Sequence, residues 1–288
     1  MRMNGMFDTP IEEIIRKRYS VRTYSGEALS QDLIEWVREE ISNLSNPFGV
    51  KVNFRLLTSD GTTVPDLDPA KLGTYGIIKG AWNHIGATIN EKVPALEALG
   101  YEFEKLILRL TAHGLGTCWL GGTFNRSQFT QAMGVKEGEL FPIVSPIGYP
   151  SKKRSLPDSF IRFVAKGDKR KPWDQLFFSG DPDHPLSESD AGGYKIPLEM
   201  VRLGPSASNK QPWRIIKHQD AYHFYKARTP GYGQALGYDI QSIDMGIAMC
   251  HFHLTAIEKG LSGRFEQLAD PPIQRIEWEY HYTWIPGV

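Results

Sequence analysis

GPSASNKQPWRII, residues 204–216, joins a predicted helix, LEMVRL (198–203), to a predicted strand, WRIIKH (213–218), and the chain on either side is organised around it. Gly204, Pro205, Ser206 and Asn209 stop the helix, and Pro212 is expected to hold Gln211 extended because its ring crowds the preceding residue. The connection offers small residues and amide side chains against which a planar ligand could lie. The same composition also reads as a plain helix stop followed by a turn.

The helix before this loop has an echo upstream. IEWVR at 34–38 aligns with LEMVR at 198–202, a shift of 164, and HGL at 113–115 aligns with KGL at 259–261, a shift of 146. The first copy therefore carries 18 more residues between the two anchors (164 minus 146). A period this long is not that of a solenoid; it points to two copies of a domain. Element order repeats in the same way. The first copy reads as a helix from Thr9-Pro10 to near Arg18, a helix after Ser30, strands over 50–58 and 81–90, and a helix over 94–113. A Gly-rich turn, a short helix from Asn125 to Met133 and a strand over 141–150 complete it. SGDPDHPLSESDAGG (179–193) is the expected linker, which divides the chain into halves of 1–178 and 194–288. Beyond it come the helix LEMVRL, a strand pair around Gln219-Asp220, a helix from Asp239 to Lys259 stopped by Gly260, and two closing strands.

Composition narrows the class. A hydrophobic fraction of 41% and a charged fraction of 23% over 288 residues exclude a disordered or fibrous chain. Lys plus Arg and Asp plus Glu both number 33, so no whole-chain field favours nucleic acid. The two cysteines, Cys118 and Cys250, are too few for a disulfide framework and suit a reducing compartment. MRMNGMFDTPIEEII lacks the apolar run of a signal peptide, and the apolar helix over 239–260 is interrupted by Gln241, Asp244, His251, His253 and Glu258. The expectation is a cytoplasmic protein without membrane or nucleic-acid partners, a monomer or weak homo-oligomer.

Three further segments could carry chemistry. In RYSVR (18–22), an extended chain would project Arg18, Ser20 and Arg22 to one side, with two guanidinium forks and a hydroxyl for a phosphate. A solvated basic patch beyond a helix end has the same look. GLGTCWLGG (114–122) packs four glycines into nine residues, which permits close backbone approach to a ligand, or simply a tight turn. Trp119 occupies the place of the third glycine of a dinucleotide fingerprint, so that motif is excluded. SKKRS (151–155) pairs Lys152 with Arg154 on one side if extended. Cys250, His251 and His253 sit at helical spacings that point them apart, against a metal site.

Together and in this order, RxSxR, GLGTCWLGG, IGYPxKxR and PSASNKQPW resemble the FMN-dependent nitroreductase family over residues 10–155 and 196–265. The resemblance implies an α+β fold, with mixed or antiparallel sheets flanked by helices, and FMN held between two subunits. It implies that Arg18 and Ser20 of the Arg18-Tyr19-Ser20 run hold the phosphate, that Lys152 and Arg154 complete the clamp, and that Arg22 approaches the flavin pyrimidine edge. Backbone of Trp119, Leu120, Gly121 and Gly122 would line one side of the ring, and Pro205, Ser206, Ala207 and Asn209 the other. Gly121 stands where some members carry glutamate.

The halves lose these motifs in a complementary way. SNLSNPFGV (42–50) has lost the PSASNKQPW pattern, while the second half lacks RxSxR and TCWLGG. One composite site in an intramolecular pseudo-dimer needs one of each, which matches a subgroup of single-chain fused proteins first seen in thermophilic bacteria. The implied activity is hydride transfer from NADH or NADPH through FMN to a nitroaromatic, quinone or similar flat acceptor. Other redox chemistry on the same fold, such as dehalogenation or dehydrogenation, and non-catalytic flavin binding are the alternatives.

Overall fold

Local rules set where the elements begin and end in the computed structural model, which describes residues 7–58, 72–90, 96–152, 169–273 and 277–287. Helix α1 (Ile11–Lys17) starts one residue after Pro10, whose ψ of 134° leaves it just outside the helix. Ser30 caps α2 (Gln31–Ser42) by accepting from the Leu33 amide, and Asn125 caps α4 (Arg126–Ala132) by accepting from the Gln128 amide. Between them lie β1 (Asn53–Leu57), β2 (Asn83–Asn90), α3 (Leu96–Ala112) and β3 (Gly116–Thr117). Strand β4 (Glu139–Gly148) follows α4.

Next come β5 (Phe177–Ser179), which precedes the expected linker, and then, in the second half, α5 (Lys195–Leu203), β6 (Trp213–His218), β7 (Ala221–Ala227), α6 (Ile240–Glu258), β8 (Gly263–Glu266) and β9 (Trp278–Pro286). Gln219, at φ 53°, turns β6 into β7. One sheet has the order β1-β2-β4-β3 and the other β5-β6-β7-β9-β8. Apart from β5, the second order repeats the first strand for strand, and every pair in both is antiparallel. Strand β5 adds to the edge of the second sheet, parallel to β6, with Phe177 opposite Ile215.

The halves meet where α3 crosses α6. A Cβ on Gly100 of α3 would lie 2.2 Å from the Ile243 carbonyl, and one on Gly246 of α6 would lie 2.1 Å from the Glu97 carbonyl. The sequence shift of 146 maps these contacts onto each other: 100 plus 146 is 246, and 97 plus 146 is 243. A contact that exchanges its partners in this way is isologous, the mark of a two-fold relation. The helix ends repeat it. Leu115 N donates to Leu110 O and Leu261 N to Ala256 O, both at 2.9 Å, around Gly114 and Gly260 at φ +76° and +75°. Glycine suits both turns because left-handed φ carries no Cβ penalty there.

Helix α6 is buried on every side from Ile240 to Phe252, packed between the two halves, which accounts for its apolar character. No helix among the described residues is long and apolar enough to cross a membrane.

Candidate active site

The first wall of the site grows from the chain after α1. Arg18–Arg22 leaves the helix extended and runs beside β3, with Val21 N donating to Thr117 O at 2.8 Å and Ser20 bridging Thr117. This approach needs Gly116, since a Cβ there would lie 2.7 Å from a Val21 methyl. Val21 is buried, while Arg18, Ser20 and Arg22 line a cavity of about 450 Å³, as does the more exposed Tyr19. A volume of this size suits a cofactor-scale ligand.

The loop after β3 forms the next wall. Leu120 exchanges both backbone hydrogen bonds with Val144 of β4. The Gly121 carbonyl accepts from the Tyr238 hydroxyl at 2.8 Å and from Arg126 at 3.1 Å. A Cβ on Gly121 would lie 2.5 Å from Ile240 Cδ1, so glycine lets α6 of the second half close against this loop. The Gly121 and Gly122 amides donate to no protein acceptor among the described residues, and both residues line the cavity. Free backbone donors at a cavity wall are ligand donors.

The second half supplies the facing wall through Pro205–Asn209 and α6. Its backbone is unusual: Ser208, Asn209 and Gln211 have φ of 46°, 55° and 49°. Gln211 thus departs from the extended conformation expected before Pro212. Hydrogen bonds impose the left-handed turn instead: Gln211 N donates to Ser206 Oγ at 2.8 Å, and Lys171 N donates to Gln211 Oε1 at 2.8 Å. Asn209 Nδ2 donates to Lys169 O at 2.8 Å, and Tyr232 donates its hydroxyl to Ser208 Oγ at 2.8 Å. Left-handed non-glycine residues persist where surrounding contacts over-determine them, commonly at ligand clamps.

That network also carries a cation absent from the sequence assignment. Arg170 lines the cavity, with its guanidinium donating to Leu203 O at 3.1 Å and Asn209 Oδ1 at 3.3 Å. Of the clamp expected at Lys152 and Arg154, Lys152 does not line the cavity. Ser151 N bonds Thr23 O, and Lys152 next to it is exposed. Arg154 lies outside the described residues. The signal for Arg170 was the cationic run 169–171, just before Pro172-Trp173.

Beneath the cavity one buried carboxylate ties both halves together. Glu104 of α3 accepts from Trp119 Nε1 at 2.9 Å and faces His251 Nε2 of α6 at 2.9 Å, with Arg18 Nε 3.7 Å away. His251 Nδ1 donates to Met200 O, since a carbonyl can only accept. Arg18 Nε is buried without a hydrogen-bond partner among the described residues, a donor that a ligand would satisfy. His253 turns elsewhere, to Tyr101 at 2.7 Å, and no group of three potential ligands among the described residues could hold a metal.

Asp244 of α6 closes the facing wall. Its Oδ1 accepts from Ala207 N at 2.9 Å, and burial pushes its carboxyl well above the usual range. Neither it, Arg170 nor Glu104 was picked out as a site residue from sequence.

No curated protein sequence matches the chain. Among solved structures, a "putative nitroreductase" from Thermotoga maritima is similar over 99% of this chain and 97% of its own, at 21% identity and TM-score 0.60. A "putative nitroreductase in complex with FMN" from Desulfovibrio desulfuricans covers 53% of this chain and 95% of its own, at 24% identity and TM-score 0.41. A "nitroreductase family protein" from Clostridium novyi covers 50% and 87%, at 21% identity and TM-score 0.41. The family model described as "Putative TM nitroreductase" matches residues 10–256, and the chain belongs to that family.

Proposed function

We propose that the chain is an FMN-dependent oxidoreductase that binds one FMN in this cavity and passes reducing equivalents from NADH or NADPH to a nitroaromatic, quinone or similar flat acceptor. FMN, when bound, supplies the hydride chemistry, and the protein supplies binding, orientation and electrostatics. The observation that carries the reading is that Arg18–Ser20 with Arg22, Trp119–Gly122 and Pro205–Asn209, from two halves, line a single cavity.

The residues divide the work by chemistry. Arg18 and Arg170 offer guanidinium forks and Ser20 a hydroxyl, the donor set for a phosphate. Arg22 brings a fixed positive charge to the wall where negative charge would develop on reduction. The Gly121 and Gly122 amides give unhindered backbone donors, and the loop over 205–209 gives a preformed facing surface. Tyr232 and Leu236 add further lining to the cavity.

The test is an absorbance spectrum of the reconstituted, desalted protein with a flavin-to-chain ratio. One FMN per chain is the expected result; a colourless protein, or two per chain, overturns the reading. Steady-state turnover of menadione with NADH and NADPH then tests the donor and acceptor.

A further inference from the structure

Asp244 belongs to the cavity yet has no evident task there. It is 2% exposed, lines the wall between α6 and the 205–209 loop, and uses Oδ1 to accept from the Ala207 amide. Its Oδ2 is buried without a hydrogen-bond partner among the described residues, and no ion pair reaches the carboxyl. An unmet buried carboxyl oxygen is costly unless something binds it. The ring system of a flavin presents two carbonyl oxygens and unprotonated ring nitrogens, which are acceptors, beside a single N–H donor. A carboxylate would repel the acceptor atoms, and a carboxylic acid would donate to them.

We propose that Asp244 is held as the neutral acid and donates a hydrogen bond through Oδ2 to an acceptor atom of the ring bound in the cavity. This rests on the FMN reading above and adds a recognition residue to it. Burial supports the neutral form, and Asp239 on the same helix reinforces it, while the Ala207 amide opposes it. Tyr232 faces the same carboxyl, and Arg18, Arg22, Arg170, Tyr19 and Cys118 lie around the cavity wall.

Asparagine is the isostere of the neutral acid, with an oxygen for Ala207 and an N–H for the ligand. FMN affinity is measured by flavin fluorescence quenching on the stripped full chain. Asp244→Asn is expected to bind within about threefold of wild type, and Asp244→Ala about tenfold or more weaker. With the FMN phosphate kept doubly charged, wild-type affinity should fall as rising pH ionises Asp244. The Asp244→Asn profile, carrying every other titrating group unchanged, should lack that fall. A role confined to holding Ala207 would survive ionisation, because a carboxylate accepts from the amide at least as well. Wild-type and Asp244→Asn profiles that run parallel overturn the proposal even if Asp244→Ala fails to fold. So does Asp244→Ala binding as wild type. A wild type that binds no FMN removes the underlying reading instead.

Discussion

Gly246→Ala tests the architecture through the sign of its effect. On an isolated helix the change would stabilise by about 1 kcal/mol, because glycine is the poorer helix former. Here the new Cβ would lie 2.1 Å from the Glu97 carbonyl and 2.8 Å from the Tyr101 amide. Relief to an ordinary contact requires α3 and α6 to part by roughly 1 Å, and overpacking of that kind costs about 1–3 kcal/mol. After the propensity gain, the expected net loss is about 0–2 kcal/mol, a fall in Tm of up to roughly 4 °C. Gly100→Ala, at the equivalent position, meets the Ile243 carbonyl at 2.2 Å and should cost a similar amount. The double variant should cost less than the sum, since the first change has already parted the helices that the second would part. Thermal melts and urea titrations of the four proteins close the cycle. A Gly246→Ala protein more stable than wild type would refute the backbone-on-backbone crossing.

Other consequences are open to direct measurement. Glu104→Gln leaves one carbonyl oxygen for donors that a carboxylate served with two, so stability should fall by about 1–3 kcal/mol and FMN should be lost on desalting; retention of both would contradict the shared anchor. Arg170→Ala and Arg18→Ala should both release flavin, while Lys152→Ala, exposed and not part of the cavity lining, should retain it in the same desalting assay. Burial pulls His84, His223 and His253 each down to about 4, so the unfolded chain takes up protons near 6.5 that the fold refuses. Stability should therefore be full above about pH 6.5 and decline toward 4, and a urea midpoint at pH 5 equal to that at pH 7 would contradict this.

The two-half architecture was legible because glycine stops and amphipathic helices leave short, local signatures: HGL and KGL mark two equivalent Schellman ends. Motif order brought Arg18–Arg22, Trp119–Gly122 and Pro205–Asn209 to attention, and the fold brings them to one cavity. What stayed hidden depends on contacts between residues far apart in the chain. Glu104 looks like an ordinary helical glutamate until Trp119 and His251 surround it. Asp244 reads as a polar interruption of an apolar helix, and only packing under the 205–209 loop gives it a place. Arg170 sits in a cationic run whose neighbours Lys169 and Lys171 share its composition, so that only hydrogen bonds to Asn209 and Leu203 single it out. Gln211 shows a local rule overridden: the pre-proline preference yields to a hydrogen-bonded knot.

Strand β5 has a consequence for how the chain can be divided. Phe177–Ser179 precedes the Ser/Asp/Pro-rich stretch that composition marks as a joint, yet it completes the sheet beyond that joint. A cut at that stretch would hand the leading fragment a strand belonging to the trailing fragment, and bare the edge of β6 as a template for aggregation. Neither piece would be a self-sufficient module. Expressed together, they should reassemble by strand donation, so the fused chain behaves as an interlocked pair whose covalent link is secondary to the exchange.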